Sequence, residues 1–340
     1  MARYKKHRPT TDPTAPSLFD DYDNPADRDI SLPGLERHIK VVEQSRTAEV
    51  APLGPVEADR RVLYISFGSG SSGNCTFIGT RSEGILIDAG VDDRRVQAEL
   101  TRNNLSLDNV KGIILTHDHG DHIRYAYSLL RRHRHMGLYC TPKAFNGILR
   151  RHNVSRRIKD YHRPIYKEMP FELAGFKITP FEVNHDGTDN VGFHIAQPGF
   201  DFTVATDLGS IGERADHYMR LASFLMIESN YDMSMLVNGH YPEYLKARIM
   251  ADNGHMDNDV TARYVASIYR PQLKYVFLCH LSNDNNTPEI ALRAVTGALM
   301  KHGVTVGDGT NTPAAMTAPI QVMALPRFES TGIIPLRIDL

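Results

Sequence analysis

Apolar and polar positions along this chain switch between two periods, and the switches mark its elements. Short apolar or alternating runs predict strands at 62–67, 75–79, 84–88, 112–115 and 138–140, then at 176–184, 191–196, 202–206, 224–227, 274–279 and 320–325. Helical spacing predicts helices over 92–103, 123–134, 142–152, 241–250, 259–268 and 288–302. Pro198-Gly199 supplies a turn between two strands. Strands and helices that alternate, with polar residues gathered where strands end, predict a layered α/β architecture. Residues 1–58 break the pattern. They are rich in Pro, Asp and Arg, and Leu18-Phe19 is an isolated apolar pair, so they are expected to form a polar tail, flexible or packed on the surface. A catalytic domain is expected over 59–340, and no internal repeat is found.

The densest chemistry lies where the buried strand at 112–115 gives way to a helix. Thr116-His117-Asp118-His119-Gly120-Asp121-His122-Ile123 packs three imidazoles and two carboxylates into six positions. In extended chain, residues two apart project to one side, so His117 and His119 can converge on one cation. The turn can aim Asp121 and His122 at a neighbouring point, which implies two adjacent metal sites. Imidazole with some carboxylate suits Zn²⁺, and more carboxylate or water favours Mn²⁺. The competing reading is a charged loop that caps the helix. One hexapeptide cannot close two sites, and further candidate ligands do follow apolar strands: His185, Asp207 and His280.

The order H-x-H-x-D-H, His, Asp, His resembles the metallo-β-lactamase superfamily. Ser66-Phe67-Gly68-Ser69-Gly70-Ser71-Ser72-Gly73-Asn74-Cys75, Leu86-Ile87-Asp88-Ala89-Gly90, Glu228-Ser229-Asn230-Tyr231-Asp232, Gly254-His255-Met256-Asp257-Asn258 and His280-Leu281-Ser282-Asn283-Asp284-Asn285-Asn286 resemble one branch, the YycJ/WalJ proteins of bacteria. The resemblance covers roughly residues 61 to 330. It implies a four-layer αββα sandwich and exonuclease activity on DNA. It also implies that His117, His119 and His185 hold one divalent ion, that Asp121, His122 and His280 hold the other, and that Asp207 bridges them. Asp88 would orient a ligand from behind, and His255 would be the catalytic acid beside Asp121. The chain departs from the pattern at Met256-Asp257, where Leu-Ser is expected.

Asn74, Glu228, Asn230, Ser282 and Asn285 are candidate substrate-binding or supporting residues. For Glu228 and Asn230, a pocket wall and a helix cap are equally good readings; Ser282 and Asn285 fit a turn or a substrate contact. The Gly68–Gly73 loop lacks the Lys of a P-loop and the spacing of a dinucleotide fingerprint. No G-x-S-x-G context for a serine hydrolase is present. About 72 residues separate Asp207 from His280, too few for the extra nucleic-acid-clamping β-CASP domain of some superfamily nucleases.

Composition narrows the picture. Hydrophobic residues at 41% and charged residues at 23% are ordinary for a globular protein. No apolar run is long enough for a membrane span, and the basic start has no apolar signal segment, so a cytoplasmic location is expected. Cys75, Cys140 and Cys279 lie on strand-like segments as an odd, sparse set, which argues for buried thiols.

A net charge of −1 gives no global attraction to nucleic acid. Arg131, Arg132, Arg134, Arg150, Arg151, Arg156 and Arg157 nevertheless form a basic band after the metal motif that can neutralise phosphates; a solvated helix face is the competing reading. The leading function is a dinuclear phosphodiesterase, a DNA exonuclease, in which cations about 3.5–4 Å apart hold a bridging hydroxide. Its rivals are a thioester or ester hydrolase with the same ligands and a catalytically silent binding protein. The oligomeric state is not legible.

Overall fold

Strand β1 (Val62–Gly68) shows why two cores form. Successive side chains on a strand face opposite ways. Leu63, Ile65 and Phe67 enter one buried cluster, and Val62 and Tyr64 enter another. The computed structural model describes residues 61–309 and 317–336, so the expected tail at 1–58 lies outside the described residues.

Joining β1 in a seven-stranded sheet are β2 (Cys75–Gly79), β3 (Gly84–Ile87), β4 (Val110–Ile114), β5 (Gly137–Cys140), β6 (His162–Pro164) and β15 (Ile334–Leu336), in the order β15-β1-β2-β3-β4-β5-β6. An eight-stranded sheet contains β7 (Phe171–Leu173), β8 (Phe176–Glu182), β9 (Val191–Gln197), β10 (Phe200–Ala205), β11 (Phe224–Glu228), β12 (Tyr275–Cys279), β13 (Val306–Gly307) and β14 (Ile320–Ala324), ordered β13-β14-β12-β11-β10-β9-β8-β7. The sheets bury a shared aromatic-rich interior: Tyr64 stacks on Phe277 with ring centroids 4.2 Å apart, and Phe193, Phe202 and Phe224 pack in the same cluster. Truncating a side chain as buried as Phe277 costs about 3–5 kcal/mol.

Each sheet covers its other face with helices. Val96 and Leu100 of α1 (Asp93–Arg102) pack on the first sheet. So do Leu129 and Leu130 of α3 (Ala126–Arg132), and Phe145 and Ile148 of α4 (Pro142–Arg151). The second sheet takes Ala215 and Met219 of α5 (Glu213–Leu221), Ala262 and Val265 of α8 (Asn258–Ile268), and Val295 and Leu299 of α9 (Pro288–Lys301). The result is the αββα sandwich.

Strands β3 to β6 run parallel, as do β10, β11, β12 and β14. Their carboxyl ends therefore share an edge within each sheet, and the candidate ligands follow those ends. Between Asp207 and His280 lie α5, β11, α6 (Met233–Asn238), α7 (Glu243–Ile249), α8 and β12, which leave no segment for a β-CASP domain.

Six elements were not anticipated: α5, α6 and the short strands β6, β7, β13 and β15. α5 follows Gly212, which has no side chain to cap it, and α6 has six residues. β15 has three and is defined by pairing with Val62–Tyr64 across the length of the chain. The helix expected over 123–134 is instead two pieces, α2 (Gly120–Ile123) and α3, separated at Arg124 and Tyr125. A four-residue helix has too few aligned peptides to hold an anion by its dipole.

Candidate metal centre

Asp88, Asp207 and His280 follow β3, β10 and β12, and all three have left-handed backbones, with φ of 60°, 52° and 55°. Such conformations cost a non-glycine residue about 1–3 kcal/mol each and persist where the surroundings over-determine them. Here they turn three polar side chains inward immediately past a strand end. The hexapeptide leaves β4 in the same region. The Asp121 carbonyl accepts a bond from Asn74 N at 2.8 Å, and Gly90 lies so close that an added Cβ would sit 1.5 Å from that oxygen. Only glycine fits there.

The imidazoles are locked from behind. His122 Nδ1 lies 2.7 Å from Asp88 Oδ2, and Asp88 also accepts Thr116 N and Thr116 Oγ1 at 2.9 Å. Thr116 Oγ1 is 3.0 Å from His117 Nδ1, the Gly254 carbonyl 3.0 Å from His185 Nδ1, and Glu228 Oε1 2.8 Å from His280 Nδ1. Such outer partners fix the tautomer and free the opposite nitrogen for a metal. The Nε2 atoms of His117 and His280 are buried without a hydrogen-bond partner, as a metal-binding donor would be.

Among the described residues four overlapping groups of donors converge, including His117, His119 and His185, and next to them Asp121, His122 and His280; Asp207 joins His117 and His122 in a third group and Glu228, His255 and His280 in a fourth. Asp207 lies between the first two. Its Oδ1 is 3.7 Å from His185 Nε2 and 3.4 Å from His280 Nε2, and its Oδ2 is 3.2 Å from His122 Nε2. Asp121 Oδ2 is 3.6 Å from both His122 Nε2 and His280 Nε2. Imidazole and carboxylate donors, buried and converging, fit divalent ions.

The charge distribution is uneven. Burial and the neighbouring His122 hold His117 well below the usual histidine range, and burial with the nearby His185 lowers His119 to about 4. Burial also opposes charge on His122 and His280, but Asp207 with its neighbouring carboxylates outweighs it, holding His122 well above its ordinary value and raising His280 to about 10. Burial works against charge on Asp207 too, yet His280 and His122 keep it ionised. The surroundings thus favour the neutral form of His117 and His119 and the charged form of His122 and His280, so binding of an ion at the latter pair would compete with protons.

Asn74, Glu228 and Asn230 face this centre. Asn74 Nδ2 donates to Asp121 Oδ2 at 3.2 Å, and Asn230 Nδ2 donates to the His280 carbonyl at 2.7 Å. Glu228 is fully buried and takes His255 Nδ1 at 2.8 Å as well as His280. Asp232, not Glu228 or Asn230, caps α6. Ser282 Oγ accepts Asn285 N at 3.2 Å, so this pair braces the turn after His280. Ser69, from the glycine-rich loop, accepts His280 N at 2.9 Å. The departure at Met256-Asp257 is a change of cap: Asp257 Oδ1 receives Asp259 N and Val260 N at the start of α8, the work a serine would do there.

Arg131, Arg132, Arg134, Arg150, Arg151, Arg156 and Arg157 are all exposed. Arg151 reaches the metal loop, 3.8 Å from Asp118 Oδ2, while Arg132 pairs with Asp93 at 3.0 Å. The sequence reading passed over Thr116, Asp186 and Arg248, and gave Asp118 no role beyond the loop's charge or a helix cap. Thr116 links Asp88 to His117, and Asp118 ties the loop to Thr188 through contacts of 2.8 and 2.6 Å. Asp186 and Arg248 pair beside His119. An aspartate adjacent to the candidate ligand His185 was the available signal for Asp186.

Residues 83–280 match the beta-lactamase superfamily domain. Over 241 residues the chain is 30% identical to the exodeoxyribonuclease YycJ of Bacillus anthracis, covering 71% of this chain and 90% of that protein. It is 28% identical over 245 residues to the exodeoxyribonuclease WalJ of Streptococcus pneumoniae, covering 72% of this chain and 90% of the relative. The crystal structure of the metallo-beta-lactamase fold protein YhfI from Bacillus subtilis superposes with a TM-score of 0.56 at 12% identity, covering 79% of this chain and 98% of the other, a likeness of fold. The chain thus belongs to the beta-lactamase superfamily, in its metallo-β-lactamase-fold, YycJ-like family. It is a metal-dependent hydrolase.

Proposed function

We propose that the chain is a dinuclear phosphodiesterase that removes nucleotides from DNA ends. The observation that carries the dinuclear reading is Asp207, whose single carboxylate lies within 3.7 Å of His185 Nε2 on one side and 3.4 Å of His280 Nε2 on the other. His117, His119 and His185 would hold one divalent ion, and Asp121, His122 and His280 the other, with Asp207 shared. The all-imidazole group favours Zn²⁺ and the carboxylate-containing group also admits Mn²⁺. When bound, the ions would activate water and polarise the phosphodiester.

The chain's own groups do the rest. Asp121 stays ionised despite its burial because His122 and His280 flank it, and Asn74 fixes its Oδ2, so it can orient a water and accept its proton. His255 is anchored at Nδ1 by Glu228 and retains about a fifth of its side-chain surface, leaving Nε2 to protonate the departing oxygen. The exposed arginine band supports a polyanionic substrate, and the two relatives' names support DNA. The test is side-by-side digestion of end-labelled single- and double-stranded DNA, RNA and a thioester by protein loaded with Zn²⁺ or Mn²⁺. Progressive shortening of DNA is the expected result. Thioester turnover without DNA shortening would replace this reading with a small-molecule hydrolase, and inertness towards all substrates with a binding protein.

A further inference from the structure

Asp186 lies beside the candidate centre with its two oxygens in different surroundings. Oδ2 receives Arg248 Nε at 2.8 Å and pairs with Arg248 Nη2 at 2.7 Å, a two-pronged, charge-assisted contact on one oxygen. Oδ1 is buried without a hydrogen-bond partner, 3.4 Å from His119 Nε2 and 3.5 Å from His185 Nε2. His119 Nδ1 meanwhile lies 3.3 Å from His185 Nε2. Since the Gly254 carbonyl occupies His185 Nδ1 at 3.0 Å, His185 turns Nε2 towards the centre. An ion shared by these rings would take His185 Nε2 and His119 Nδ1. His119 Nε2 then carries the proton, and Asp186 Oδ1 is the acceptor in reach.

We propose that Asp186, held by Arg248, is the positioning residue that fixes His119 with its proton on Nε2 and its free lone pair on Nδ1. The inference rests on the metal-site reading above. It also explains a feature of the chain's layout. Residues 248–255 reach both donor groups, Arg248 through Asp186, Gly254 through His185, and His255 through Glu228. The segment doubles back so tightly that a Cβ on Gly254 would lie 2.3 Å from the Ile249 carbonyl oxygen and 2.4 Å from that of Arg248. The side chain of Arg248 is thereby held on Asp186, and the carbonyl of Gly254 on the His185 ring.

Two measurements independent of turnover test this. In Zn²⁺-loaded wild-type protein, long-range ¹H–¹⁵N NMR should show His119 protonated at Nε2. Zn²⁺ competition titrations of Asp186→Asn and Arg248→Met should show one of two equivalents weakened by about 10- to 100-fold, with the other unchanged. Arg248→Lys, which keeps the charge but loses the two-pronged contact, should fall between Arg248→Met and wild type. Melting of the metal-free variants checks folding; if Arg248→Met does not fold, Asp186→Asn and the wild-type spectrum still decide. A proton on His119 Nδ1, or variants that bind both equivalents as wild type does, would overturn the inference and leave the dinuclear reading standing. A wild type that takes up no Zn²⁺ would overturn both.

Discussion

Glu228 Oε1 lies 2.8 Å from His280 Nδ1, beneath the centre and shielded from solvent. The same oxygen is 2.8 Å from His255 Nδ1, and the other receives Leu208 N and Met256 N at 2.9 and 3.2 Å. One carboxylate thus orients a candidate ligand and the candidate acid while joining β11 to two loops. Glu228→Gln keeps the shape but removes the charge and turns one acceptor into a donor. Zn²⁺ affinity for one equivalent should fall about 10- to 100-fold, and kcat should fall with it. Competition titration and steady-state kinetics read the two effects separately. An unchanged affinity would show that Glu228 serves only the loops, in which case stability alone should drop, by about 1–3 kcal/mol.

His280 gives the metal-free protein a pH dependence of known sign. Burial would lower its pKa, but Asp207, Asp121 and Glu228 raise it from 6.5 to about 10. A folded-state pKa above the unfolded one means that the stabilisation is complete below about 6.5 and is lost as pH rises towards about 10. Chelator-treated protein should therefore unfold at progressively lower urea across that window, while apparent Zn²⁺ affinity strengthens as the competing proton leaves. His280→Gln should flatten the stability profile. A wild-type urea midpoint that climbs over the same range would contradict the charge balance drawn here.

The arginine band is not uniform. Arg132 is committed to Asp93 at 3.0 Å, whereas Arg131, Arg150 and Arg157 are exposed residues of the same band. Replacing those three with glutamine should weaken DNA binding and lower the slope of log affinity against log salt by about 0.7–0.9 per lost phosphate contact. Arg132→Gln alone should change that slope least. Filter binding over a range of salt concentrations measures both. If the triple variant keeps the wild-type slope, the band is a solvated helix face.

The ligand-dense hexapeptide and the apolar runs before His185, Asp207 and His280 were legible because local spacing marks both a strand and its end. The strand at 62–67 was legible in the same way. What escaped were relations that no local window contains. β15 is a strand only through its partner β1. α5 lacks a side-chain cap, so no start signal preceded it. Asp186 and Arg248 are 62 residues apart and read as ordinary charges until the fold joins them. That Ser282 bonds Asn285, and that Asp232 rather than Glu228 caps α6, likewise depends on backbone direction, which sequence spacing does not supply.

His255 is tested most sharply by the leaving group. Its ring lies 5.1 Å from those of both His185 and His280, Nδ1 is occupied by Glu228, and the side chain is about a fifth exposed, so Nε2 is the nitrogen available to substrate. General acid catalysis contributes about 10²- to 10⁴-fold. His255→Ala should lower kcat on DNA by that order while Zn²⁺ stoichiometry stays at the wild-type value. A nitrophenyl phosphodiester, whose leaving group departs without a proton, should lose far less. Equal losses on both substrates would assign His255 to positioning, loss of an ion would make it a ligand, and no loss on either would leave it a loop histidine that Glu228 happens to hold.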